Sequence, residues 1–234
     1  MYLYLVGGTI LELNLLMFAG HYYEVNGHLT NNLIVYVILF TFFLCEYFWH
    51  EYVHLYTFDF VAEAVGFKLT WGCLVFYPFF YPIGIWAIAE QNIPCQIRSN
   101  FVLFSVVALF VIGWCLSRGA NNQKYLFKTK PKANYLFNLI QPKTINNKLL
   151  CSGFWSLSRH INYLGDTLMA CSLALLCFID CSSKTYLPWL YPMYYVLLFI
   201  FRERADNKIC QKKYGYDWKE YCQRVPYRII PFIY

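Results

Sequence analysis

The sequence contains few charged residues. Only 14% of its 234 residues are Asp, Glu, Lys or Arg, whereas 59% are hydrophobic and 21% are aromatic. A soluble domain usually has about 25% charged residues. The composition therefore excludes an ordinary soluble enzyme and predicts an all-α fold, a polytopic bundle of transmembrane helices.

Basic residues are almost absent from the first half of the chain. Only Lys68 and Arg98 precede Arg118, against seven acidic residues, and the other seventeen Lys and Arg begin there. Cytoplasmic segments next to membrane spans carry an excess of Lys and Arg. We therefore predict that the basic loop 118–160 and the tail from Arg202 lie on the cytoplasmic side.

Several motifs of soluble proteins are missing. There is no Cys-x-x-Cys pair, no GxGxxG and no P-loop. No metal cluster is therefore expected, and any dinucleotide has to be held by a site that is not a Rossmann fold. Five of the ten cysteines lie in apolar runs and are interpreted as packing residues: Cys45, Cys73, Cys115, Cys171 and Cys177.

Long apolar runs supply the candidate membrane spans, each of which needs about 20 mainly apolar residues. Six regions qualify, and the last is long enough for two passes: 2–19, 32–49, 60–76, 77–90, 100–116 and 164–201. The third and fourth are separated only by a Tyr77-Pro78 corner, so five, six or seven passes remain open. No signal peptide is expected, because Met1 is followed directly by apolar residues.

One motif points to zinc. His50, Glu51 and His54 have the HExxH spacing that places two imidazoles on one helix face with a Glu as general base. Zinc needs a third protein ligand, and the nearby candidates Asp59 and Glu63 have no recognised spacing. An intramembrane metalloprotease is therefore kept as a remote alternative.

The proline-rich region after this motif permits two interpretations. Pro78 and Pro82 each remove a backbone donor, which frees carbonyls and bends a helix. A kinked helix lined by aromatic residues suits a pocket for a flat apolar ligand. A tightly packed helical hairpin explains the same residues.

Polar chemistry is densest in LLCSGFWSLSRHINYLGD, residues 149–166. An interfacial collar, with Arg159 at the headgroups and His160 capping a helix, is one interpretation. The other is a functional site. Upstream, Lys124 and Lys128 share a helix face at i, i+4, where they suit either anionic headgroups or a cofactor phosphate.

The tail from Arg202 mixes eight Lys and Arg with four acids and seven aromatic residues. A mere electrostatic tether does not need interleaved aromatic rings, so the pattern predicts a small folded cytoplasmic cap. The balancing acids argue against nucleic-acid binding.

Three motifs together resemble the sterol reductase family, which includes the sterol Δ14-reductases, the lamin B receptor and 7-dehydrocholesterol reductase. They are SRGANNQK, the 149–166 stretch and RERADNKICQKKYGYDWKEYCQRVPYRIIPFIY. The resemblance is strong over 118–234 and weaker over 47–81, and RGAN and RHINYLGD are most similar to the Δ14-reductase and lamin B receptor group.

This resemblance implies an NADPH-dependent oxidoreductase of sterol biosynthesis in the endoplasmic reticulum membrane. The bond that it implies is C14=C15 of a sterol held within the lipid bilayer. A catalytically weak relative like the lamin B receptor, or a Δ7-sterol reductase, are the alternatives. The chain is read as one membrane-embedded domain over 1–234 that lacks N-terminal spans of the family, with 118–234 as the NADPH-binding half.

The resemblance also implies a set of site residues. The implied NADPH contacts are Lys124, Lys128, Leu150, Trp155, Asn162, Tyr163, Asp206, Cys210, Gln211, Lys212, Lys213, Tyr214 and Tyr221, with Arg202 supporting the same pocket. An unactivated ring alkene accepts hydride only after protonation, so an acid is also required. The candidate acids are Tyr221 and, from the sterol side, Tyr81 or Glu51.

The chain departs from the family pattern at several positions. Ala205-Asp206-Asn207 stands where the family usually has Arg-Asp-Glu, and Gly72-Cys73 where it has Gly-Asp. Pro82 and Gly84 follow Tyr81, where similar proteins have a hydroxyl residue and Gln. These differences bear on substrate choice and activity.

Overall fold

The computed structural model describes residues 2–57, 66–93, 96–136, 139–181 and 185–234, and most of them are helical. The α-helices are α1 (Tyr2–Asn26), α2 (Asn31–Trp49), α3 (Glu51–His54), α4 (Phe67–Trp71), α5 (Tyr77–Phe80), α6 (Ile83–Glu90), α7 (Asn100–Thr129), α8 (Ile161–Leu176), α9 (Leu190–Tyr214) and α10 (Tyr216–Arg224). A π-helix, Gly72–Phe76, joins α4 to α5, and 3₁₀ turns form at Gly153–Ser156 and Leu187–Trp189. The prediction of an all-helical fold is confirmed.

Among the described residues, three helices are long and apolar enough to cross a membrane, namely α1, α2 and α7. The pair Leu69–Phe80 and Ile83–Glu90, bent by 42°, is apolar enough as a unit to form either a broken span or a re-entrant loop. The predicted region 164–201 contains most of the shorter apolar helix α8 and the first part of α9, neither of which is among these candidate spans. The chain is a multi-pass membrane protein, as the composition predicted.

The position of the bend corrects the sequence prediction. The break lies at residues 81–82 and not at the Tyr77-Pro78 corner, so the described parts of 60–76 and 77–90 are not separated where the sequence predicted. Pro78 lies in the first turn of α5, where a missing N–H costs little. Pro82 stands where the helix would have to continue, and there the missing donor interrupts it.

The carbonyl that Pro82 leaves without a helical donor is that of Pro78, four residues earlier. The Asn14 side chain of α1 donates its Nδ2 hydrogen to this oxygen at 3.0 Å. Gly7 of the same helix lies against the backbone of Cys73 in the π-helix, so closely that a Cβ at Gly7 would collide with the Cys73 carbonyl. Contacts from α1 therefore hold the irregular helix in place.

The chain divides into two compact units. The first unit comprises Met1–Phe110 and Met169–Tyr194, and the second comprises Val111–Leu168 and Tyr195–Tyr234. Inside the first unit, Asn32 donates to the Leu176 carbonyl at 2.7 Å and Ser172 to the Val106 carbonyl at 2.8 Å.

The cysteines of the apolar runs differ in burial. Cys73 and Cys177 are buried and Cys171 is half-buried, as expected of packing residues. Cys45 and Cys115 are exposed, so for these two the packing interpretation is wrong. An exposed thiol on an apolar helix faces outward from the packed interior of its own unit.

A small hairpin organises the core of the second unit. Strands β1 (Thr144–Ile145) and β2 (Leu149–Leu150) pair antiparallel, with Ile145 opposite Leu149. Consecutive strand residues point to opposite faces, and two clusters of buried side chains form accordingly. One contains Ile145, Leu149, Cys151, Trp218, Tyr221 and Val225, and the other contains Ala120, Phe127, Leu150, Trp155 and Ile161.

Candidate functional site

The site predicted at Lys124 and Trp155 is built on the C-terminal half of α7. The indole Nε1 of Trp155 donates to the Ala120 carbonyl at 2.9 Å, which fixes the ring against the helix. One turn further along, the Lys124 ammonium lies 5.5 Å from the centre of the Trp155 ring. At this distance the ring face attracts the cation, so the two predicted residues form a cation–π pair.

A glutamine that the sequence reasoning did not select holds the loop before Trp155. Gln123 donates its Nε2 hydrogen to the Ser152 carbonyl at 3.0 Å, and its Oε1 accepts from the Phe154 N–H at 3.0 Å. Between them Gly153 has φ +62°, and a Cβ there would meet the Gln123 amide at 2.5 Å. Glycine is required at this position by both the backbone angle and the close approach.

Asn162 and Tyr163 lie in the first turn of α8. The Asn162 side chain donates to the Asn121 Oδ1 at 3.3 Å, and among the described residues its own buried Oδ1 accepts no hydrogen bond. The Tyr163 ring is stacked between His160, at 4.8 Å and 6°, and Phe199 of α9, at 4.4 Å and 4°. The amide is thus held in position with one unsatisfied acceptor.

Asp206 of α9 faces the start of α8. Its Oδ2 lies 3.6 Å from the Nε2 of His160, and the Cys210 thiol contacts the same oxygen at 3.8 Å. Burial raises the pKa of the Asp206 carboxyl, and the nearby Lys124 ammonium opposes this change. Burial, and then the charges of Lys124 and Arg159, lower the pKa of His160 to about 3. At neutral pH the imidazole is therefore neutral.

Arg159 and His160 are not among the predicted cofactor contacts. His160 combines a structural role, through its stacking on Tyr163, with a position beside the predicted site residue Asp206. Arg159 donates to the Cys222 sulphur and to the Pro226 carbonyl, so it holds the segment that follows α10.

The remaining predicted residues of α9 differ in exposure. Lys128 of α7 and the run Gln211, Lys212 and Lys213 are exposed, whereas Arg202, Cys210 and Tyr214 are half-buried. The charges of Lys128, Lys213 and Asp206 all act on the Lys124 ammonium. Lys128 and Lys213 therefore belong to the same positively charged region as Lys124.

Helix α10 is attached to the hairpin by its first carboxylate. Asp217 accepts from the Asn146 amide at 2.6 Å and forms an ion pair with Lys148 at 3.0 Å, and these hydrogen bonds lower the pKa of Asp217. Asn146 and Asn147 have φ of +47° and +55°, which Asn tolerates better than most residues. The hairpin turn thus presents its polar groups to α10.

Tyr221 of α10 is only 4% exposed, and its ring lies 5.2 Å from that of Trp218. Burial raises the pKa of its phenol, with a smaller opposing effect of Arg159. The Trp218 indole donates to Asn207 Oδ1 at 2.9 Å. The residue that replaces the usual family Glu is therefore used to hold α10 against α9.

The other two candidate acids lie in the first unit. Glu51 is exposed at the start of α3. Tyr81 is half-buried at the break between α5 and α6, where its ring contacts Tyr191 at 4.5 Å and Tyr77 at 5.0 Å.

The HExxH residues form other contacts. His50 stands between α2 and α3 with its Nδ1 3.1 Å from Glu46 Oε1, and the His54 ring stacks on Tyr47 at 3.8 Å. Among the described residues, no group of three His, Cys, Asp or Glu side chains could hold a metal ion. Asp59 and Glu63, the candidate third ligands, lie outside the described residues.

These observations define a multi-pass helical membrane protein whose second unit gathers cations, aromatic rings and a polar amide around the start of α8. Residues 5–234 match the model of the "Ergosterol biosynthesis ERG4/ERG24 family". The chain belongs to this family, which confirms the resemblance seen in its motifs.

Several curated relatives in this family are described as Delta(14)-sterol reductases. The chain is 37% identical over 209 residues to that of Arabidopsis thaliana, covering 89% of this chain and 54% of the relative. It is 34% identical over 220 residues to the reductase of Schizosaccharomyces pombe, covering 93% of this chain and 50% of the relative. For the protein of Methylotuvimicrobium alcaliphilum the identity is 35% over 228 residues, with 96% and 51% covered. The chain thus spans about half the length of these relatives.

Proposed function

We propose that this protein is an NADPH-dependent reductase of a sterol ring double bond, C14=C15, that acts in sterol biosynthesis. Its relatives at 34–37% identity carry the name Delta(14)-sterol reductase, which supports this proposal. The substrate is a sterol dissolved in the bilayer of the endoplasmic reticulum. The basic loop 118–160 and the tail from Arg202 lie in the cytoplasm, where the soluble cofactor is available.

The observation that carries the proposal is the unsatisfied oxygen of Asn162. A buried acceptor without a donor costs about 1–3 kcal/mol, and a ligand group that donates to this oxygen would remove that cost. A nicotinamide carboxamide has an NH₂ that suits this oxygen. The residues present therefore fit the nicotinamide end of NADPH.

The cations of the second unit fit the other end of the same molecule. Lys128 and Lys213 both act electrostatically on Lys124, and a dinucleotide with a 2′-phosphate brings several negative charges. The Trp155 ring, fixed by its bond to Ala120, holds the Lys124 ammonium over its face and so positions this cation for a phosphate. NADPH, when bound, supplies the hydride for the reduction.

The protein has to supply a proton as well. Tyr221 is the candidate in the second unit: its phenol is protonated at neutral pH, although burial raises its pKa and so makes it a weaker acid than an exposed tyrosine. Tyr81 is the candidate in the first unit, where its ring lies in a cluster of aromatic rings that suits a flat apolar substrate. Glu51 is the weakest of the three, since it is exposed.

Cofactor binding is tested with two matched lysine variants in detergent. Lys124→Met removes the cation next to Trp155, whereas Lys219→Met removes an exposed cation of α10 outside the proposed site. We expect NADPH, followed by energy transfer from tryptophan to its fluorescent nicotinamide, to bind much more weakly to the first variant only. Equal affinity in both variants would contradict the proposed site.

Activity is tested by sterol profiling of a cell that lacks its own Δ14-reductase and expresses this chain. The proposal predicts that the Δ14-unsaturated sterol is consumed in the wild type and accumulates in the Lys124→Met variant. Consumption of a Δ7 sterol alone would show that the wrong double bond is proposed. NADPH binding without turnover of either sterol would instead indicate a catalytically weak relative.

A further inference from the structure

The last residues of the second unit form a rigid loop with two exposed apolar side chains. We name residues 230–233 the tail loop. Phe232 is 83% exposed and Ile233 is 79% exposed, whereas the preceding Ile229 is only 9% exposed. The loop is closed by hydrogen bonds from the N–H groups of Ile233 and Tyr234 to the Ile230 carbonyl, at 3.2 and 3.0 Å.

The backbone of the tail loop is held in an unfavourable conformation. Phe232 has φ +67°, in the left-handed region that L-residues with a Cβ rarely adopt. Three N–H groups, those of Arg228, Ile229 and Ile230, converge on the Tyr234 carbonyl at 2.7–3.1 Å and fix the loop around it. Strain of this kind persists only where neighbouring contacts impose it. The exposure of Phe232 is therefore built into the fold.

One anchor places the tail loop at the end of the apolar part of α9. The Arg228 guanidinium forms an ion pair at 3.2 Å with Glu203, whose side chain is 1% exposed, and it lies 5.6 Å from the centre of the Tyr234 ring. Glu203 comes directly after the apolar run 190–201. The loop thus lies at the level where α9 changes from apolar to charged residues.

A second, independent anchor places it at the start of α8. Ser158 donates to the Ile229 carbonyl at 2.8 Å, and the His160 N–H donates to the Arg228 carbonyl at 2.9 Å. Both donors directly precede the apolar helix α8. Where one apolar helix begins and another ends, a membrane protein usually meets the lipid headgroups.

From these two anchors we propose that the tail loop is an interfacial membrane anchor, which inserts Phe232 and Ile233 among the headgroups and upper acyl chains of the bilayer. Apolar side chains presented at this depth gain free energy by leaving water for the interface. Single exposed apolar residues are common on protein surfaces. Two adjacent ones on a strained loop, at the level of the headgroups, are better explained by contact with lipid. This proposal does not depend on the proposed reductase activity.

The test is site-specific photo-crosslinking of the full chain in phospholipid nanodiscs. A benzophenone amino acid replaces Phe232, and lipid adducts are measured by mass spectrometry after illumination. The positive control is the same replacement at Phe201, which is 66% exposed in the apolar part of α9. The negative control is Tyr216, which is 78% exposed but follows the end of α9, about 16 Å along the helix from Glu203.

We expect lipid adducts at position 232 with a yield close to that at position 201, and no lipid adducts at position 216. Position 233 gives a second measurement if the chain carrying the probe at 232 does not fold. Adducts at 201 without adducts at 232 and 233 would overturn the proposal. So would crosslinks from 232 to a second copy of the chain, because the exposed pair would then be a protein interface.

Discussion

Replacement of Gly165 by alanine tests whether the close packing of α7 and α8 holds the proposed site together. A Cβ at Gly165 would lie 2.5 Å from both the Gly113 carbonyl oxygen and the Ser117 nitrogen. Ordinary contact begins near 3.4 Å, so the helices have to separate locally by about 0.9 Å. Both neighbours are backbone atoms, which cannot turn away as a side chain would.

The magnitude follows from three contributions. Overpacking costs about 1–3 kcal/mol. Separation also stretches the 2.7 Å hydrogen bond between Ser117 and Asp166, at a cost of about 1 kcal/mol. These losses are offset by about 1 kcal/mol, because alanine has a higher helix propensity than glycine. The net loss is about 2 kcal/mol, and for a chain of this size that lowers the melting temperature by roughly 4–8 °C.

The assay is thermal unfolding of the purified protein in detergent, with Gly20→Ala as the matched control. Gly20 is also helical, in α1, and a Cβ there meets no described atom within 4 Å. We expect that variant to melt at the wild-type temperature or slightly above it. If the Gly165→Ala and Gly20→Ala variants have the same melting temperature, α7 and α8 do not pack as described. NADPH affinity should fall in Gly165→Ala too, because Asn162 lies on the same turn of α8.

Three further predictions concern the site itself. Asn162→Leu keeps the size of the side chain but removes the acceptor, so NADPH should bind about tenfold more weakly, which is about 1.4 kcal/mol; unchanged affinity in a titration would remove the amide from the site. Trp155→Phe loses the bond to the Ala120 carbonyl and should lower stability by about 1 kcal/mol, with thermal unfolding as the measurement and an unaltered melting temperature as the contrary result. The pKa of His160 is about 3 in the folded protein and 6.5 in an exposed histidine. Below pH 6.5 the imidazole is therefore protonated in the unfolded chain but not in the folded one, so the free energy of unfolding decreases as the pH drops toward 3. His160→Phe preserves the stacking on Tyr163 and should show a shallower fall in melting temperature over that range; parallel curves for the two proteins would refute this assignment.

The sequence predicted the elements of the site better than the contacts between them. A helix begins next to Asn162 and Tyr163 as expected, and the tail folds around Trp218 and Tyr221. Helical spacing does not reveal that the Gln123 side chain forms hydrogen bonds to the loop around Gly153, because the two are far apart in the chain. For the same reason the approach of His160 to Asp206 could not be predicted from local pattern.

The proline-rich region shows a different limit. Two prolines predict a kink but do not say which one causes it, because the cost of a missing N–H depends on its place in the helix. Pro78 is tolerated in a first turn, and Pro82 breaks the helix. Asn14 supplies the donor that Pro82 removed, and this compensation from another helix has no signal in the local sequence.

The hairpin has a consequence for how the second unit tolerates change. Leu149 and Leu150 are neighbours in the chain, yet each belongs to a different cluster, one with α10 and the other with α7. A single residue inserted before Leu149 would exchange the two side chains, and both clusters would be filled by the wrong neighbour. Substitution by another apolar residue leaves each side chain on its own face of the strand, whereas insertion or deletion of one residue moves it to the opposite face. In this short strand, natural variation should therefore conserve residue count more strictly than residue identity.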